Sequence, residues 1–384
     1  MQGKNGGQDS TMKLFTRKRL SALLGVVLIS LLLAACGNSA PTNTTPAGGQ
    51  NGKGCTKVGV LLPETASSAR WDGNDKPELS QRIKAVTGQD VDYYNAEGDD
   101  AKQQTQADAA LTKGDCILVV APKNASTSAA IVAKAKARGV PVIAYDRLIQ
   151  SKDLNYYVSF DGVKVGEIQG QYIVDHYADY TKSANNLAMI NGSQDDNNAL
   201  LFYQGATSKL QPLIDSGKLK KVYDQYTPAW DNDKARTEMD GVLTSQNNNI
   251  QIVYVANDGM ANSVIAALKA KKLNGKVLVT GQDATVAGIQ NILTGDQAMT
   301  VYKPIPQEAQ ATADLVKALK DGTDTASLTN GVVTKTQDGG SIPSILKLPI
   351  AVDKTNIKDT VIADKFVTVE QICANLPKGT GGIC

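Results

Sequence analysis

Short apolar runs recur along this chain, and several of them end in carboxylate, amide or basic side chains. Three such runs with the polar residues that follow them are 142–144 with Asp146 and Arg147, 253–256 with Asn257 and Asp258, and 277–280 with Gln282 and Asp283. Runs of this length are typical of buried β-strands. In an open parallel sheet, ligands bind beyond the carboxyl ends of the strands, so the pattern predicts that these polar groups share one site.

The same succession of elements occurs twice in the chain. Residues 117–147 and residues 252–283 both have the pattern of strand, polar loop, helix and strand, at similar spacing. The first helix, predicted over 126–138, starts in a hydroxyl-rich segment and stops at Gly139, while the second stops near Gly275. This alternation predicts right-handed βαβ units and a parallel sheet. One domain could hold both copies, but a chain of 384 residues favours two similar lobes.

The first 35 residues have the composition of a secretory signal peptide. A basic start, an apolar core and a small-residue cleavage site follow one another as Lys13, Arg17, Lys18 and Arg19, then 20–33, then Leu33, Ala34, Ala35 and Cys36. A cysteine directly after the small residues resembles a bacterial lipobox, so we predict that 1–35 are removed and that Cys36 carries a lipid. The alternative is an uncleaved transmembrane anchor, for which the apolar core is short. Both interpretations place the protein outside the cytoplasm, in the periplasm or on the outer face of the cell membrane.

Residues 37–54 are almost all small or polar, a composition that cannot bury a core. We therefore predict a flexible tether over residues 36–54 and a domain that starts near Cys55. Residues 1–35 hold five of the 40 basic and one of the 38 acidic side chains, so the remainder has a net charge of −2. Nearly balanced charge without a basic stripe argues against a nucleic-acid partner.

Four cysteines remain once Cys36 is set aside, and four cysteines allow three pairings. Cys55 and Cys116 each precede a strand-like run, and in a doubly wound sheet of order 2-1-3 these two strands start side by side. We therefore predict a disulfide between Cys55 and Cys116, which leaves Cys373 and Cys384 to close the tail. The alternative is four free buried thiols, which the oxidising environment of an exported protein disfavours.

Little in the sequence supports enzymatic chemistry. His176 is the only histidine, and it lies on a predicted helix over 166–177, away from the strand ends. The chain has no phosphate-binding loop and no dinucleotide fingerprint, and its cysteines lack the paired spacing of a zinc site. The carboxylate pairs Asp99–Asp100 and Asp195–Asp196 are typical of helix caps and turns. We expect a protein that is not an enzyme and that uses neither a metal nor a cofactor.

The strand ends combine charges, amides and aromatic rings, a mixture that suits a neutral polyhydroxylated ligand. Sugar hydroxyls can donate to carboxylates while accepting from Arg or Lys, and a flat indole can cover the C–H face of a pyranose. The candidates are the carboxylates Asp146, Asp161 and Asp283, the cations Arg70, Arg147 and Lys303, the amides Asn198 and Asn257, and the indoles Trp71 and Trp230. The alternative for the two tryptophans is a place in the core, although their sequence neighbours are polar.

Several motifs around these candidates belong together. They are Arg70 with Trp71, AYDRLI (144–149), SFDGVKVGE (159–167), DDNNA (195–199), VAND (255–258), GQDATVAGI (281–289) and MTVYKP (299–304). In this order they resemble the periplasmic sugar-binding proteins of ABC importers, and within them the D-xylose-binding branch, over residues 57–366. The resemblance implies an α/β fold of the periplasmic binding protein type I, with two similar doubly wound parallel-sheet lobes joined by a three-crossing hinge.

The resemblance also implies how the chain divides. The crossings would fall near Phe160, near Lys303 and near 342–346. The implied parts are 55–160 plus 304–343 for the first lobe, 161–303 plus 344–370 for the second lobe, and 371–384 for a disulfide-closed tail. By the same likeness the sugar would be held by Arg70, Trp71, Asp146 and Arg147 of the first lobe, by Asp161 and Lys303 at crossings, and by Asn198, Trp230, Asn257 and Asp283 of the second lobe.

The function implied by the resemblance is that of a lipoprotein receptor. It would capture a monosaccharide, D-xylose first, by hinge closure and deliver it to an ABC permease. The same cleft would serve a sensor that passes the closed state to a chemotaxis or kinase partner, and an extracellular sugar-modifying enzyme is a third alternative. We expect a monomer that reaches the membrane only through the lipid at Cys36. The loop 62–71 (LPETASSARW) departs from the pattern of the family and would bear on selectivity, because it lines the sugar.

Overall fold

The computed structural model describes residues 50–384 of the chain. The predicted signal peptide, the predicted lipidation site Cys36 and most of the predicted tether lie outside these described residues. Within residues 50–384, no helix combines the length and the hydropathy that a membrane span requires.

Strands and helices alternate along most of the described chain, as the repeated pattern predicts. The strands are β1 (Val58–Leu62), β2 (Asp92–Asn95), β3 (Ile117–Val120), β4 (Val142–Tyr145), β5 (Tyr156–Phe160), β6 (Asn186–Asn191), β7 (Lys220–Tyr226), β8 (Ile252–Val255), β9 (Leu278–Val279), β10 (Met299–Tyr302), β11 (Val333–Lys335), β12 (Ser341–Lys347) and β13 (Ile350–Asp353). The α-helices are α1 (Lys76–Thr87), α2 (Asp100–Lys113), α3 (Ala129–Ala137), α4 (Gly162–Tyr180), α5 (Asn197–Asp215), α6 (Asn232–Ser245), α7 (Asp258–Ala270), α8 (Val286–Thr294), α9 (Ile305–Asp321), α10 (Ala326–Thr329) and α11 (Val369–Cys373).

The first lobe is built on a sheet of strand order β11-β12-β5-β4-β3-β1-β2. Its neighbouring strands run parallel, except for the antiparallel pair β11 and β12. The central strands are apolar on both faces because helices cover both: α1 and α9 pack on one face, and α2 and α3 on the other. This is the doubly wound sheet that the sequence predicts, with β1 between β2 and β3.

The second lobe repeats this architecture with a parallel sheet of order β7-β6-β8-β9. Helices α4 and α5 pack together, as do α6 and α7. Backbone hydrogen bonds from Val301 N to Gly281 O and from Asp283 N to Val301 O join β10 to the segment after β9. β10 in turn pairs antiparallel with β13, so these two strands extend the second sheet. The predicted two-lobed α/β class is therefore confirmed.

Three segments of the chain pass between the lobes. β5 leads into α4 at Asp161, β10 leads into α9 at Lys303, and β12 leads into β13. The backbone N–H of Asp161 donates to Lys347 O at 2.9 Å and so links the first and third segments. Because β12 remains paired with β5 through Lys347, the boundary predicted between 343 and 344 falls inside a strand of the first lobe. The third crossing lies between Lys347 and Ile350.

The start of the domain also differs from the prediction. Residues Gln50–Gly52 form a short helical turn, and Asn51 N donates to Gly139 O. Gly54 N donates to Lys320 O at 2.7 Å. These backbone bonds fix residues 50–54 on the first lobe, so the predicted tether over 36–54 extends about five residues too far. Small polar residues can therefore dock through their backbone where they bury no side chain.

Both predicted disulfides are present. Cys55 and Cys116 are bonded with their Cα atoms 5.5 Å apart, just before the neighbouring strands β1 and β3. Cys373 and Cys384 are bonded with their Cα atoms 5.2 Å apart and close the C-terminal tail. The first bond ties two strands of the sheet, and the second ties a segment that packs on α8.

Candidate ligand-binding cleft

The candidate residues lie in loops and helix starts at the carboxyl ends of strands. In the first lobe, the loop after β1 leads to Arg70 and Trp71, and β4 is followed directly by Asp146 and Arg147. In the second lobe, the strands β6, β7, β8 and β9 are followed by Asn198, Trp230, Asn257 and Asp283 respectively, and β10 is followed by Lys303. The parallel topology of both sheets brings these ends to the cleft between the lobes.

Nine of the ten predicted residues line one narrow cavity between the lobes. They are Arg70, Trp71, Asp146, Arg147, Asn198, Trp230, Asn257, Asp283 and Lys303. All nine side chains are buried, and the cavity has a volume of about 30 Å³. The structure thus collects residues that are as far apart in sequence as Arg70 and Lys303.

Asp161 is the predicted residue that does not join the others. Its carboxylate accepts a hydrogen bond from the backbone N–H of Lys164 at 3.0 Å and caps the first turn of α4. It is partly exposed at the first crossing and does not line the cavity. An aspartate before a helix caps it by the ordinary N-cap mechanism, and Asp161 has that local role here.

Several cavity residues were not among the candidates. They are Ser67, Ser68, Asp196, Phe202 and Gln282. The most connected is Asp196, whose carboxylate pairs with Arg147 Nε at 2.8 Å and accepts from Trp230 Nε1 at 3.2 Å. Asp196 also caps α5, as predicted for its carboxylate pair, so it combines the cap with a place in the cavity. Gln282 belongs to the strand-end pattern, and that signal alone could have identified it.

Arg70 is the centre of a buried ion-pair cluster in the first lobe. Its Nη1 lies 2.7 Å from Asp146 Oδ2 and its Nε lies 2.8 Å from Asp75 Oδ2. Its Nη2 also reaches Glu308 Oε2 of α9 at 3.3 Å. Lys303 Nζ joins the cluster at 3.2 Å from Asp146. The guanidinium is therefore fixed from behind by two carboxylates that do not line the cavity.

The carboxylates of this cluster differ in their proton affinity. Burial raises the pKa of Asp146, but the charges of Arg70 and Lys303 outweigh this effect and hold the pKa below its ordinary value. For Glu308, burial and the neighbouring charge of Asp146 raise the pKa well above its usual range. Asp146 is thus a charged acceptor facing the cavity. Glu308 therefore binds a proton more readily than Asp146 does.

Arg147 forms a second ion-pair cluster, which also lies next to Trp71. Its Nη2 lies 2.8 Å from Glu64 Oε1, and its Nε pairs with Asp196. The guanidinium carbons of Arg70 and Arg147 lie 4.7 and 5.1 Å from the centroid of the Trp71 ring. These distances allow cation–π attraction. The indole is therefore held in place by the guanidinium groups of Arg70 and Arg147.

Trp230 is fixed by different means in the second lobe. Its ring packs edge-on against Phe202, with the centroids 6.3 Å apart. A Cβ atom at Gly192 would overlap the ring, so glycine is needed behind it. Trp230 has a positive φ of 55°, and so have Asp146 at 58° and Asp283 at 101°. Non-glycine residues in such conformations cost of order 1–3 kcal/mol each, and they concentrate at functional sites.

Four buried polar atoms of cavity residues have no hydrogen-bond partner in the protein. They are Trp71 Nε1, Asn198 Oδ1, Gln282 Oε1 and Asp283 Oδ1. One is a donor and three are acceptors, whereas Arg70 and Lys303 supply further donors. Orphaned buried polar atoms are costly without a partner, so their concentration here indicates a polar ligand. Within residues 50–384, no group of His, Cys, Asp or Glu side chains is arranged to hold a metal ion.

Hydrogen bonds and ion pairs join the lobes across the cleft. Asn198 Nδ2 of the second lobe donates to Asp146 Oδ1 at 3.1 Å. Ser68 Oγ of the first lobe donates to Asp283 Oδ2 at 2.8 Å, and Asn257 Nδ2 donates to the backbone O of Ser67. The lobes are therefore closed on each other, with ligand-type groups from both sides in direct contact.

The family follows from comparison of this architecture and sequence with known proteins. Residues 58–324 match the model of the periplasmic binding protein domain. The chain belongs to this family, and its two-lobed α/β architecture is the type I periplasmic binding protein fold. The resemblance inferred from the sequence motifs is thereby confirmed.

Several members of this family are similar to the chain over most of their own length. The chain is 42% identical over 319 residues to the D-xylose-binding periplasmic protein of Haemophilus influenzae, covering 82% of this chain and 92% of that protein. It is 38% identical over 313 residues to the D-xylose-binding periplasmic protein of Escherichia coli, covering 81% and 90%. Among solved structures, an ABC transporter solute binding protein from Clostridium phytofermentans with bound β-D-glucose superposes with a TM-score of 0.73 at 30% identity, covering 82% of this chain and 99% of that one. These relatives are binding proteins, which confirms the prediction that the chain is not an enzyme.

Proposed function

We propose that this chain is an extracytoplasmic receptor that binds one monosaccharide between its lobes and delivers it to an ABC permease. D-xylose is the first candidate ligand, because two relatives that match most of the chain are named for it. The observation that supports the proposal most directly is the buried cluster of Arg70, Lys303, Asp146 and Asp283 with unpartnered polar atoms beside it. Such a cluster offers donors and acceptors side by side, as a ring of hydroxyls requires.

The hydroxyls would replace contacts that the cleft residues make with one another. Lys303 Nζ lies 3.5 Å from Asp283 Oδ1, which is longer than an ordinary hydrogen bond between charged groups. A sugar hydroxyl could therefore bind either group at a shorter distance. A cavity of about 30 Å³ has about the volume that one water molecule occupies in the liquid. The sugar therefore enters while the lobes are apart. On closure, Arg70 and Lys303 donate to its oxygens while Asp146 and Asp283 accept from its hydroxyls.

Closure would follow from contacts that only both lobes together can make. A sugar held by Asp146 and Arg70 in the first lobe presents its free hydroxyls to Asn257 and Asp283 in the second. These second-lobe contacts favour the closed form by their own binding free energy. Rotation about the three crossings then produces the shape that a permease would accept.

The lipid predicted at Cys36 would keep this receptor at the membrane. A lipid anchor with a tether raises the effective concentration of the receptor near its permease without a new protein contact. The residues between the lipid and the first lobe would then be 37–49, because the domain begins near residue 50. The receptor would act as a monomer, with one sugar for each chain.

Isothermal titration calorimetry tests the sugar proposal. The chain from Gly37 onward is freed of co-purified sugar and titrated with D-xylose, L-arabinose, D-ribose, D-glucose and D-galactose. We expect one-to-one binding that is tightest for D-xylose. If none of these sugars binds, the cleft residues serve a different ligand and the proposal is wrong.

Transport is tested separately in cells. Deletion of the gene should abolish high-affinity uptake of the sugar that binds in calorimetry, and restoring the wild-type gene should restore uptake. The Cys36→Ser variant should release the receptor from the membrane fraction while leaving its sugar affinity unchanged. Uptake that persists in the deletion strain would contradict the permease role and leave the binding result standing.

A further inference from the structure

A second and larger cavity lies on the outer side of the loop 65–69, which connects β1 to Arg70. This outer groove has a volume of about 590 Å³, within the range of about 300–1,000 Å³ that is usual for small-molecule sites. It opens between the first lobe and the start of α8 in the second lobe. The groove and the cleft cavity share Ser67, Ser68, Arg70 and Asp283 as lining residues. These four residues therefore form a partition between the two spaces, which in this subsection is called the wall.

The lining of the outer groove is almost entirely uncharged. Arg70 and Asp283 in the shared wall are its charged residues among those described. Beyond them it presents amide side chains, such as Asn262 and Gln290, and the ring of Phe366. Asn232 Oδ1, also in the groove, is buried without a hydrogen-bond partner. Neutral donors and acceptors beside an aromatic ring suit another uncharged polyhydroxylated group, and they do not suit an ion.

The wall is thin and made of small residues. Residues 65–69 read TASSA, and three of these five side chains are exposed. The loop is held to the second lobe by three polar contacts: Ser68 donates to Asp283, Asn232 Nδ2 donates to Ala66 O at 3.3 Å, and Asn257 Nδ2 donates to Ser67 O at 3.2 Å. A Cβ atom at Gly259 would lie 2.9 Å from Ser67 O, so the glycine permits this close approach. Few polar contacts and no large apolar side chain hold the wall shut.

The polar contact in the wall can be exchanged for a linking oxygen. Ser68 Oγ is a donor to Asp283 at 2.8 Å, and it could equally donate to an ether oxygen, which only accepts. The negative charge of Asp283 would remain balanced, because Lys303 and Arg70 lie 3.5 and 4.0 Å from its Oδ1. A glycosidic oxygen at this point would accept from Ser68, and Asp283 Oδ2 would accept from a hydroxyl of the bound sugar in place of Ser68.

We propose that the outer groove is a second subsite, which holds the substituent of a sugar linked through the oxygen that faces Ser68 and Asp283. The receptor then takes disaccharides and small glycosides as well as the free monosaccharide. This inference rests on the proposed sugar-binding function and adds a class of substrate to it. The short loop 65–69 is the feature that admits the second unit, because it has no bulky side chain that would fill the passage.

Calorimetry with paired ligands tests the subsite in the chain from Gly37 onward. The probes are D-xylose with xylobiose, and D-glucose with cellobiose as a second pair. Ala287→Trp fills the groove from the second residue of α8, where Ala287 is exposed and lines the groove without lining the cleft cavity. Ala130→Trp is the matched control, since Ala130 is the exposed second residue of α3 and lines neither space.

In the wild type, we expect the disaccharide of the better pair to bind within about tenfold of its monosaccharide, a difference of about 1.4 kcal/mol or less. Ala287→Trp should weaken the disaccharide at least about tenfold and leave the monosaccharide unchanged, while Ala130→Trp changes neither. A disaccharide that binds more weakly than this in the wild type overturns the subsite, as does an equal effect of Ala287→Trp on both ligands. If neither monosaccharide binds, the receptor function itself is wrong.

Discussion

The two walls of the cleft are built on different principles. In the first lobe, Arg70 is paired with Asp75 and Glu308 of its own lobe, and Arg147 is paired with Glu64 of its own lobe as well as with Asp196 of the second. In the second lobe, the facing groups are single side chains at helix starts and strand ends, such as Asn257 and Asp283. The first wall therefore has its geometry before a ligand arrives, whereas the second acquires its partners when the lobes close.

This difference separates two roles that are often combined in binding sites. The first wall contributes both to the stability of the lobe and to the site, because its charges are buried and mutually paired. The second wall contributes to the site and to closure, and its side chains leave the packing of the lobe largely unaffected. Substitutions in the two walls should therefore differ in whether loss of affinity is accompanied by loss of stability.

The largest expected effect is that of Arg70→Met in the first wall. The substitution leaves Asp75, Asp146 and Glu308 without the cation that they share. Removing one partner from a buried ion cluster costs about 3–5 kcal/mol, so both sugar affinity and the free energy of unfolding should fall. Calorimetry measures the first and urea denaturation the second.

The control for Arg70→Met is Arg82→Met on α1. Arg82 pairs with Glu78 at 2.8 Å, but both side chains are partly exposed, and such pairs contribute about 0–1 kcal/mol. Affinity should be unchanged in this variant. If Arg70→Met had wild-type stability, the first wall would not be the self-supporting cluster described above.

The next effect in size is that of Asp283→Asn in the second wall. Asparagine keeps the shape of the side chain and tolerates the positive φ at this position. Affinity should fall about 10- to 100-fold, because a charged acceptor is lost. The free energy of unfolding should change by less than about 1 kcal/mol, since the cluster of two cations and four carboxylates loses an excess negative charge. Wild-type affinity in this variant would refute the ligand role of Asp283.

An effect of similar size is expected when the aromatic ring of the second wall is removed. Trp230→Ala should weaken sugar binding by about 1–3 kcal/mol, the usual cost of losing an aromatic anchor. Trp230→Phe keeps a ring against Phe202 and loses only the Nε1 donor to Asp196, so it should cost less than about 1 kcal/mol. Equal losses in the two variants would show that the hydrogen bond from Trp230 to Asp196, and not the aromatic ring, supports sugar binding.

The sequence predicts the cleft-facing residues better than the groups behind them. Residues such as Asp146 and Asn257 directly follow strands, and the carboxyl ends of parallel strands lie at the same edge of a sheet. Their meeting in the cleft can therefore be predicted. The support behind Arg70 could not be predicted in this way. Glu308 belongs to α9, which returns to the first lobe only after the second crossing and lies 238 positions from Arg70. No local pattern reveals such a pair.

Local patterns fail where one residue type has two roles. Asp161 and Asp196 both precede a helix and both cap it, yet Asp196 lines the cavity and Asp161 does not. Their local sequences do not tell them apart, because the difference lies in where each helix start points.

The boundaries of the tether and of the third crossing differ from the prediction by a few residues. Backbone hydrogen bonds at 50–54 and at Lys347 extend the first lobe beyond what side-chain polarity indicates.

The smallest expected effect on sugar binding is that of Asp115→Asn, at the end of the first sheet that is opposite the cleft. Asp115 precedes β3, is buried, and neither carboxylate oxygen has a hydrogen-bond donor. Burial raises its pKa to about 7, and the neighbouring Asp92 adds to the shift. The ordinary value in an unfolded chain is about 3.9. The folded state therefore binds this proton more tightly than the unfolded state does.

Stability should consequently fall as the pH rises. The contribution of Asp115 is fully present below about pH 4 and is lost as the pH passes through about 7. Urea denaturation at pH 5 and pH 8 should show this loss in the wild type and a smaller loss in Asp115→Asn, which cannot ionise. Asp108→Asn, at a half-exposed carboxylate of α2 that pairs with Lys134, is the control and should keep the wild-type pH dependence. Sugar affinity should match the wild type in both variants, because the first sheet separates this edge from the cleft. Identical pH dependence in Asp115→Asn and the wild type would show that Asp115 is already ionised in the folded protein.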